Sequence, residues 1–552
     1  MSEASTTQAL HFLEEEKQFH LGFLPTEQSN PLTRDLDMRF AAATTDGIAC
    51  LQRVDRNVLE MARRVFASPQ YARLAGTLLE TLRAGRRVCF SGCGATGRLS
   101  ILLESMWRRC CAETAALAPY ADQVFSIMTG GDYAMVRSVE FFEDYQTFGA
   151  RQVQELNLTA GDTLVAITEG GETSSVLGTV FEALSRGLSV FLLFNNPADL
   201  LAAHLERSRK AIRDPRVTVL DLSCGPMALA GSTRMQATTS EQLVAGAALD
   251  SAAAHLAGQP AVDYVAGFEA LLDALEAPAA RETLAACIEQ EAELYSNNAL
   301  VTYFADDYLL DIFTDTTERS PTFKLPPFRP LDDTTSPPSW AFVKNPLLPT
   351  AEAWRHALRR PLRCLDWSVA DYETMGAAAN IKARPPRLSA ERLCRIPIGQ
   401  ENLDERTATG KDAGFLITAD DLGNAALLAE FGRLRSRFAL SRHLSIGPAA
   451  GDMHVPVTPT ETPLHVFPHL AVKLCLNTIS TGTMVRMGRV TGNWMSWVDV
   501  SNKKLIDRAI RLIVELGGID YADACRRLFE ADAALAGTGR PVVPYVLEQL
   551  NK

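Results

Sequence analysis

The chain has 552 residues, more than a single hydrophobic core usually supports, so we expect two or more domains. Apolar residues make up 47% of the chain and charged residues 22%, which excludes a disordered, coiled-coil or fibrous protein. The formal net charge of -12 gives no general attraction to nucleic acid or anionic lipid. A phosphate-bearing ligand would therefore need a local group of hydrogen-bond donors.

The amino terminus lacks the basic-then-apolar order of a secretion signal, since residues 14–16 are three glutamates. No uninterrupted apolar stretch approaches the roughly 18 residues of a membrane-spanning helix. We expect a cytoplasmic protein without a nucleic-acid or membrane partner. The 11 cysteines and 9 histidines show no spacing typical of a zinc or redox site, so we expect no metal ion and no other cofactor.

Strands alternate with helices in the first half of the chain. One unit consists of a strand at residues 87–91, a glycine-rich turn at 92–98 and a helix at 99–107. The order recurs as a strand at 163–168, a turn at 169–174, a helix at 175–186 and a further strand at 188–194. This alternation predicts an α/β fold with a doubly wound parallel sheet, whose ligand crevice lies at the carboxyl ends of the strands.

The second half has weaker strand signals, at residues 415–417, 437–440 and 464–467, after a proline-rich stretch at 321–349. Residues 237–244 and 470–477 resemble each other, which favours two related halves. We predict five segments: an arm at 1–46, a first α/β domain at 47–250, a helical connector at 251–297, a diverged second α/β domain at 298–500 and a carboxyl-terminal helical segment at 501–552.

Two turns in the first half are candidate phosphate-binding loops. A turn between a strand and a helix presents unpaired backbone N–H groups, glycine allows close approach, and hydroxyls add donors. The alternative is that each is only a tight turn. The candidate residues are Gly94, Ala95, Thr96 and Gly97 in the first turn and Thr168, Gly170, Gly171, Glu172, Thr173 and Ser174 in the second.

The first turn also partly matches a dinucleotide-binding pattern. Gly92, Gly94 and Gly97 have the GxGxxG spacing. A dinucleotide fold needs a second strand ending in an acidic residue about twenty positions later. Residues 110–113 instead have a helical pattern, and no P-loop sequence is present, so we do not expect a nucleotide.

Several motifs resemble those of N-acetylmuramic acid 6-phosphate etherases and of the glucokinase regulatory protein, which contain sugar isomerase (SIS) domains. The motifs lie at residues 26–33, 92–98, 130–134, 140–144, 231–235, 476–482 and 501–505. The resemblance implies two SIS domains in one chain. It also implies sugar-phosphate contacts from Thr96, Glu140, Glu143, Thr168 and Lys504.

The resemblance implies catalysis only in part. An etherase eliminates lactate across C2–C3 of the sugar, which needs two proton-transfer groups. Glu143 is one, but Met106 stands where the family has its other glutamate. Glu104 is two residues away and faces about 200° around the helix. Glu318 lies in a segment of the second half that resembles the one with the missing glutamate. Residues 305–307 before it lack a glycine turn, so we expect Glu318 to line a pseudo-site without a phosphate-binding turn.

We therefore expect a sugar-phosphate sensor that alters affinity for a partner such as a sugar kinase, resembling the glucokinase regulatory protein. The alternatives are an etherase-type lyase with Glu143 as a catalytic residue, or an aldose–ketose isomerase. The ligand class is a hexose phosphate or an amino-sugar phosphate. Ala95 and Gly170 lack the hydroxyls common in related loops, so binding should be weaker unless other donors suffice.

Overall fold

The computed structural model describes residues 3–137, 139, 141–419, 424–449, 451–500 and 502–550. Two five-stranded parallel sheets organise this part of the chain. The first contains β1 (Val88–Gly92), β2 (Val124–Met128), β3 (Thr163–Ile167), β4 (Ser189–Phe194) and β5 (Val217–Asp221). The second contains β6 (Val301–Phe304), β7 (Ala341–Lys344), β8 (Ala413–Thr418), β9 (Leu440–Gly447) and β10 (Met453–Pro456).

The two sheets have the same topology. The first has the order β2-β1-β3-β4-β5 and the second, read from the opposite edge, has the order β7-β6-β8-β9-β10. In the first sheet Val88 pairs with both Val124 and Thr163, so β1 lies between β2 and β3. The chain order reverses at this point, which is where doubly wound sheets bind ligands. The predicted α/β fold with two parallel-sheet domains is confirmed, and the second sheet has five strands like the first.

Helices cover both sheets, as the fully buried strands β1 and β3 require. The first half contains α1 (Glu3–Glu15), α2 (Leu36–Ala42), α3 (Thr44–Phe66), α4 (Pro69–Arg83), α5 (Ala95–Glu113), α6 (Gln146–Glu155), α7 (Ser174–Ser185), α8 (Ala198–His204), α9 (Glu206–Ile212) and α10 (Gln236–Ala257). The second half contains α11 (Tyr264–Glu276), α12 (Pro278–Ser296), α13 (Leu309–Phe323), α14 (Thr350–Leu358), α15 (Val369–Thr374), α16 (Ala379–Ala383), α17 (Ala390–Leu393), α18 (Ala425–Leu434), α19 (Val466–Arg486), α20 (Lys503–Gly517), α21 (Tyr521–Leu535) and α22 (Val542–Leu550).

Short 3₁₀ helices connect these elements. They comprise Lys17–Phe19, Pro25–Glu27, Ala115–Gln123, Asp132–Met135, Phe142–Asp144, Asp404–Thr407 and Arg435–Arg437. Among the described residues, no helix has both the length and the apolar character needed to cross a bilayer.

Helices α10 and α19 lie at the centre of the molecule and occupy equivalent places, each after the fifth strand of its sheet. They contain the two similar segments at residues 237–244 and 470–477. Nearly every residue of both helices is buried. One hydrophobic cluster runs through both halves and includes residues of α10 and α19. The two domains therefore share a continuous core.

The structure also corrects some predicted elements. The sequence has a continuous helical pattern from about residue 46 to 84, which predicts one helix, but the structure has two, α3 and α4. Ser68 caps α4 by accepting a hydrogen bond from the Tyr71 N–H, and Pro69 begins the new helix. The predicted strand at 464–467 is wrong, because α19 begins at Val466. A short apolar run cannot distinguish a strand from a buried helix. The domain boundaries stay predictions.

A buried ion network holds α13 against the first half. Asp315 of α13 pairs with Arg234 at 2.7 Å and with Arg319 at 2.9 Å, and each of these side chains is at most 2% exposed. Arg319 also pairs with Glu291 of α12, and Ser480 of α19 donates a hydrogen bond to Asp315. Burial alone would raise the pKa of Asp315, but Arg319 and Arg234 hold it below its ordinary value. Asp315 therefore stays ionised and joins three helices to the loop that contains Arg234.

We expect Asp315→Ala to lower the free energy of unfolding by about 3–5 kcal/mol, because it leaves the buried Arg234 guanidinium without its carboxylate partner and removes one of the two carboxylates that pair with Arg319. The measurement is the thermal unfolding midpoint. The matched control is Asp273→Ala, which removes a carboxylate that is 66% exposed and pairs with Arg56 on the surface. Such a pair contributes about 0–1 kcal/mol. Equal shifts in the two variants would contradict a structural role for the network.

Candidate functional site

A cavity of about 410 Å³ opens beside the carboxyl ends of β1 and β3, where the strand order of the first sheet reverses. Four parts of the chain line it: the loops of the first sheet, residues 316–328 of the second half, the amino-terminal arm and the start of α20. Its polar lining includes Thr26, Glu27, Glu143, Glu169, Glu172, Thr173, Arg234, Thr317, Glu318, Lys504 and Arg508.

The turn after β1 favours glycine at two positions, at Gly92 because of a close contact and at Gly94 because of a positive φ. A Cβ atom on Gly92 would lie 2.4 Å from the backbone of Thr96, and Gly94 has a φ of +57°. Gly94 and Ala95 line the cavity at the amino-terminal end of α5. The hydroxyl of Thr96 accepts from the N–H of Cys93 and donates to its carbonyl, and Thr96 is fully buried. Thr96 therefore shapes the turn from within.

The turn after β3 is arranged in a similar way. Gly171 has a φ of +76° and donates its N–H to the carbonyl of Thr168. The Thr168 hydroxyl donates a hydrogen bond to the Thr173 hydroxyl at 3.0 Å. Thr173 lies immediately before the start of α7. Gly170 and Thr173 line the cavity. The two predicted turns thus meet at one cavity.

Other predicted site residues lie behind the residues that line the cavity. Within the described ranges, the cavity lining does not include Thr96, Gly97, Thr168, Gly171 or Ser174. These residues belong to the frames of the two turns. Glu140 lies outside the described residues.

Lys504 reaches the cavity from α20 and is already paired. Its Nζ lies 2.5 Å from Glu172 and 3.8 Å from Glu143. Glu172 also pairs with Arg207 at 2.7 Å. Burial opposes ionisation of Glu172, yet Lys504 and Arg207 lower its pKa to about 2. Burial likewise opposes the charge on Lys504, but Glu172 and Glu143 raise its pKa above the ordinary value. Both groups are charged at neutral pH.

Glu318 lines this cavity together with both turns. The expectation that it lines a pseudo-site without a phosphate-binding turn is therefore wrong. Helix α13 belongs to the second half but packs against α5 of the first. Arg98, which follows the first turn, forms an ion pair with Glu318 and also donates to the backbone carbonyl of Met135. The carboxylates that line the cavity therefore come from both halves, among them Glu143 from the first and Glu318 from the second.

Met106 and Glu104, the other two positions at which an acid was considered, are not part of the cavity lining that the described residues form. Met106 is 2% exposed and packs in the shared core. Glu104 is fully buried and pairs with Arg360 and Arg363, as expected for a residue on another face of α5. Glu318, by contrast, lines the cavity and pairs with Arg98 beside the first turn.

The sequence interpretation missed two further carboxylates in the cavity. Glu169 lies in the second turn, between Thr168 and Gly170, but it was not among the residues expected to contact the ligand. Glu27 of the amino-terminal arm accepts hydrogen bonds from Arg508 and Arg511 of α20. Glu27 belongs to a recognised motif, but only the folded chain shows that its role is to join the arm to α20.

One cluster of the described residues could in principle hold a metal ion. Asp306, Asp307 and His356 place one ligand atom each within 4.8 Å of one another. Asp306 accepts a hydrogen bond from Asn345, and Asp307 pairs with Arg359 at 2.6 Å. Arg359 neutralises Asp307, whereas the uncharged Asn345 only donates a hydrogen bond to Asp306.

Comparisons with known proteins match the part of the chain that contains both turns. The family model for the glucokinase regulatory protein N-terminal SIS domain matches residues 71–184, a range that contains both turns and Glu143. The N-acetylmuramic acid 6-phosphate etherase of Yersinia pestis is 33% identical over 224 residues, which cover 41% of this chain and 68% of that protein. N-acetylmuramic acid 6-phosphate etherase 1 of Bacillus licheniformis is 28% identical over 225 residues, covering 41% and 67%.

Among solved structures, tagatose-6-phosphate ketose/aldose isomerase from Escherichia coli is similar over 82% of this chain and 95% of its own. The TM-score is 0.45 and the sequence identity 11%. The sequence similarity to the etherases is thus the more specific of these findings.

The carboxyl group of Glu169 should make ligand binding depend on pH. Burial, together with nearby Glu318 and Glu143, raises the pKa of Glu169 to about 7. Glu169 is uncharged below that pH and adds a negative charge to the cavity above it. We therefore expect affinity for glucose 6-phosphate to fall as the pH rises from about 6 to 8.

The matched variant is Glu169→Gln, which keeps the size of the side chain and cannot ionise. Titration calorimetry at several pH values compares it with the wild type, and any titration of the ligand itself is common to both. The variant should bind more tightly than the wild type above pH 7 and equally well below it. Identical pH profiles would show that Glu169 does not act on the ligand.

Proposed function

We propose that this chain, which belongs to the N-acetylmuramic acid 6-phosphate etherase family, binds a sugar phosphate in the cavity and cleaves an ether bond of the bound sugar. The observation that carries the proposal is that Glu143 and Glu318, one from each half, line the same cavity as both predicted phosphate-binding turns. The absence of a second acid near the first turn was the main sequence argument for binding alone. Glu318 removes that objection.

Phosphate binding would use the two turns. The amino-terminal ends of α5 and α7 present backbone N–H groups, and the hydroxyl of Thr173 adds a donor. Lys504 of α20 lines the cavity and would exchange part of its contact with Glu172 for the phosphate. The exchange would not leave Glu172 as an unpaired buried charge, because Glu172 keeps its ion pair with Arg207.

The elimination would use the two carboxylates. One removes the proton from C2 of the sugar, the electron pair forms a C2–C3 double bond, and the C3–O bond breaks. The other carboxyl group delivers a proton to the leaving lactate oxygen. The ion pair with Arg98 orients Glu318, and the contact with Lys504 orients Glu143. Both groups therefore have fixed positions beside the ring.

A second candidate function is that of a ligand-responsive binding protein. The match to the glucokinase regulatory protein SIS domain favours it, and so does the shared lining of the cavity. A sugar phosphate that contacts both halves and α20 would bind best to one arrangement of these parts and so stabilise it. A sugar kinase as partner, an aldose–ketose isomerase activity and a cytoplasmic location stay predictions.

We expect wild-type protein to release lactate from N-acetylmuramic acid 6-phosphate, and Glu143→Gln or Glu318→Gln to lower kcat by about 100-fold or more, since each removes a proton-transfer group. A coupled lactate assay measures the rate. The control is Glu282→Gln, which changes an exposed glutamate of α12 and should keep the full rate.

Binding of the same compound, measured by calorimetry, distinguishes loss of chemistry from loss of the site. Both active-site variants should bind it with affinity within a few-fold of the wild type. Binding without lactate release in the wild type would favour the binding protein over the lyase. Release that persists in both variants would contradict the assignment of the two carboxylates.

A further inference from the structure

Phe141 has an unusual backbone conformation at the rim of the cavity. Its φ is +67°, in the left-handed region, which is unfavourable for a residue with a bulky side chain. The residue is 42% exposed although it is a large hydrophobic residue, and it lines the cavity two positions before Glu143. Strain of this kind persists only where surrounding contacts enforce it, and it is concentrated at functional sites.

The contacts that enforce this conformation come from the next residue. Phe142 is fully buried, with its ring centroid 4.8 Å from Phe148 and 5.8 Å from Trp367. Tyr372 completes this aromatic cluster. Because Phe142 is anchored in a cluster formed by both halves, the turn is held in place. The position of Phe141 at the cavity is thus a consequence of packing.

Phe141 belongs to a larger apolar part of the cavity wall. Val136 and Val139 of the same loop line the cavity, and so do Pro326 and Phe328 of the second half. A hexose phosphate presents hydroxyl groups on most of its ring carbons, and these would lose hydrogen bonds to water against such a wall. An acyl or alkyl ether group would instead bury apolar area there.

We infer that Phe141 determines specificity by packing against an apolar substituent of the bound sugar phosphate, such as an acyl or ether methyl group. The inference rests on the proposed function for the presence of a sugar phosphate in the cavity. It goes beyond that function because it assigns the choice among sugar phosphates to a residue that no proton transfer requires. Glu143 and Glu318 act on the reacting bonds, whereas Phe141 selects the molecule that reaches them.

The test compares two probes that differ at C2, N-acetylglucosamine 6-phosphate and glucose 6-phosphate. Titration calorimetry gives the dissociation constant of each for the wild type, Phe141→Gly and Phe141→Asn. Glycine and asparagine tolerate a positive φ, so both variants should fold. We expect the wild type to prefer the acetylated sugar and each variant to lose roughly tenfold in affinity for it, with affinity for glucose 6-phosphate unchanged.

The matched control is Asn157→Gly, which relieves another positive φ, of +50°, at a residue outside the cavity lining of the described chain. It should keep the preference of the wild type. An unchanged preference in both Phe141 variants, or an equal loss for both probes, would overturn the inference while leaving the proposed function intact. Failure of the wild type to bind either probe would refute the proposed function, and the inference with it.

Discussion

The arrangement of the site depends on the buried ion network around Asp315. A carboxylate between two guanidinium groups in a dry interior is stable only when every partner is in place, so it tolerates few alternative positions of α13. Arg234 belongs to a loop that lines the cavity, and Glu318 follows Asp315 by one helical turn. The network that joins the halves therefore also fixes the distance of Glu318 from the first turn.

The two halves have the same sheet topology but contribute different residues to the site. The first half contributes both glycine-rich turns and Glu143, and the second contributes Glu318 and part of the apolar wall. A single cavity thus combines features of two related domains. Helix α20 and the amino-terminal arm close this cavity, and the ion pairs of Glu27 with Arg508 and Arg511 hold them together. Ligand contacts at Lys504 would therefore act on parts of the chain that are far apart in sequence.

The charge balance of the cavity follows from the same assembly. Glu172, Glu143 and Glu318 each form an ion pair, whereas burial, together with nearby Glu318 and Glu143, raises the pKa of Glu169 to about 7. A phosphate dianion entering such a site depends on backbone N–H groups as much as on Lys504. The wall around Phe141 adds an apolar region to this polar site. Both regions are formed by segments that are far apart in the sequence and line the same cavity.

The sequence by itself determined the alternation of strands and helices in the first half, the two turns after β1 and β3, and the family, because these features depend on local patterns. It missed β2 and β5 and misassigned residues 464–467, since short apolar runs do not distinguish a strand from a buried helix. Only the tertiary structure decided that Thr96 supports its turn, that Lys504 is paired and that Glu318 faces Glu143's cavity. The hydroxyl of Thr96 bonds to a residue three positions away, but its direction is set by the folded turn. The pairs of Lys504 with Glu172 and of Glu318 with Arg98 join residues more than 200 positions apart, which no local pattern encodes.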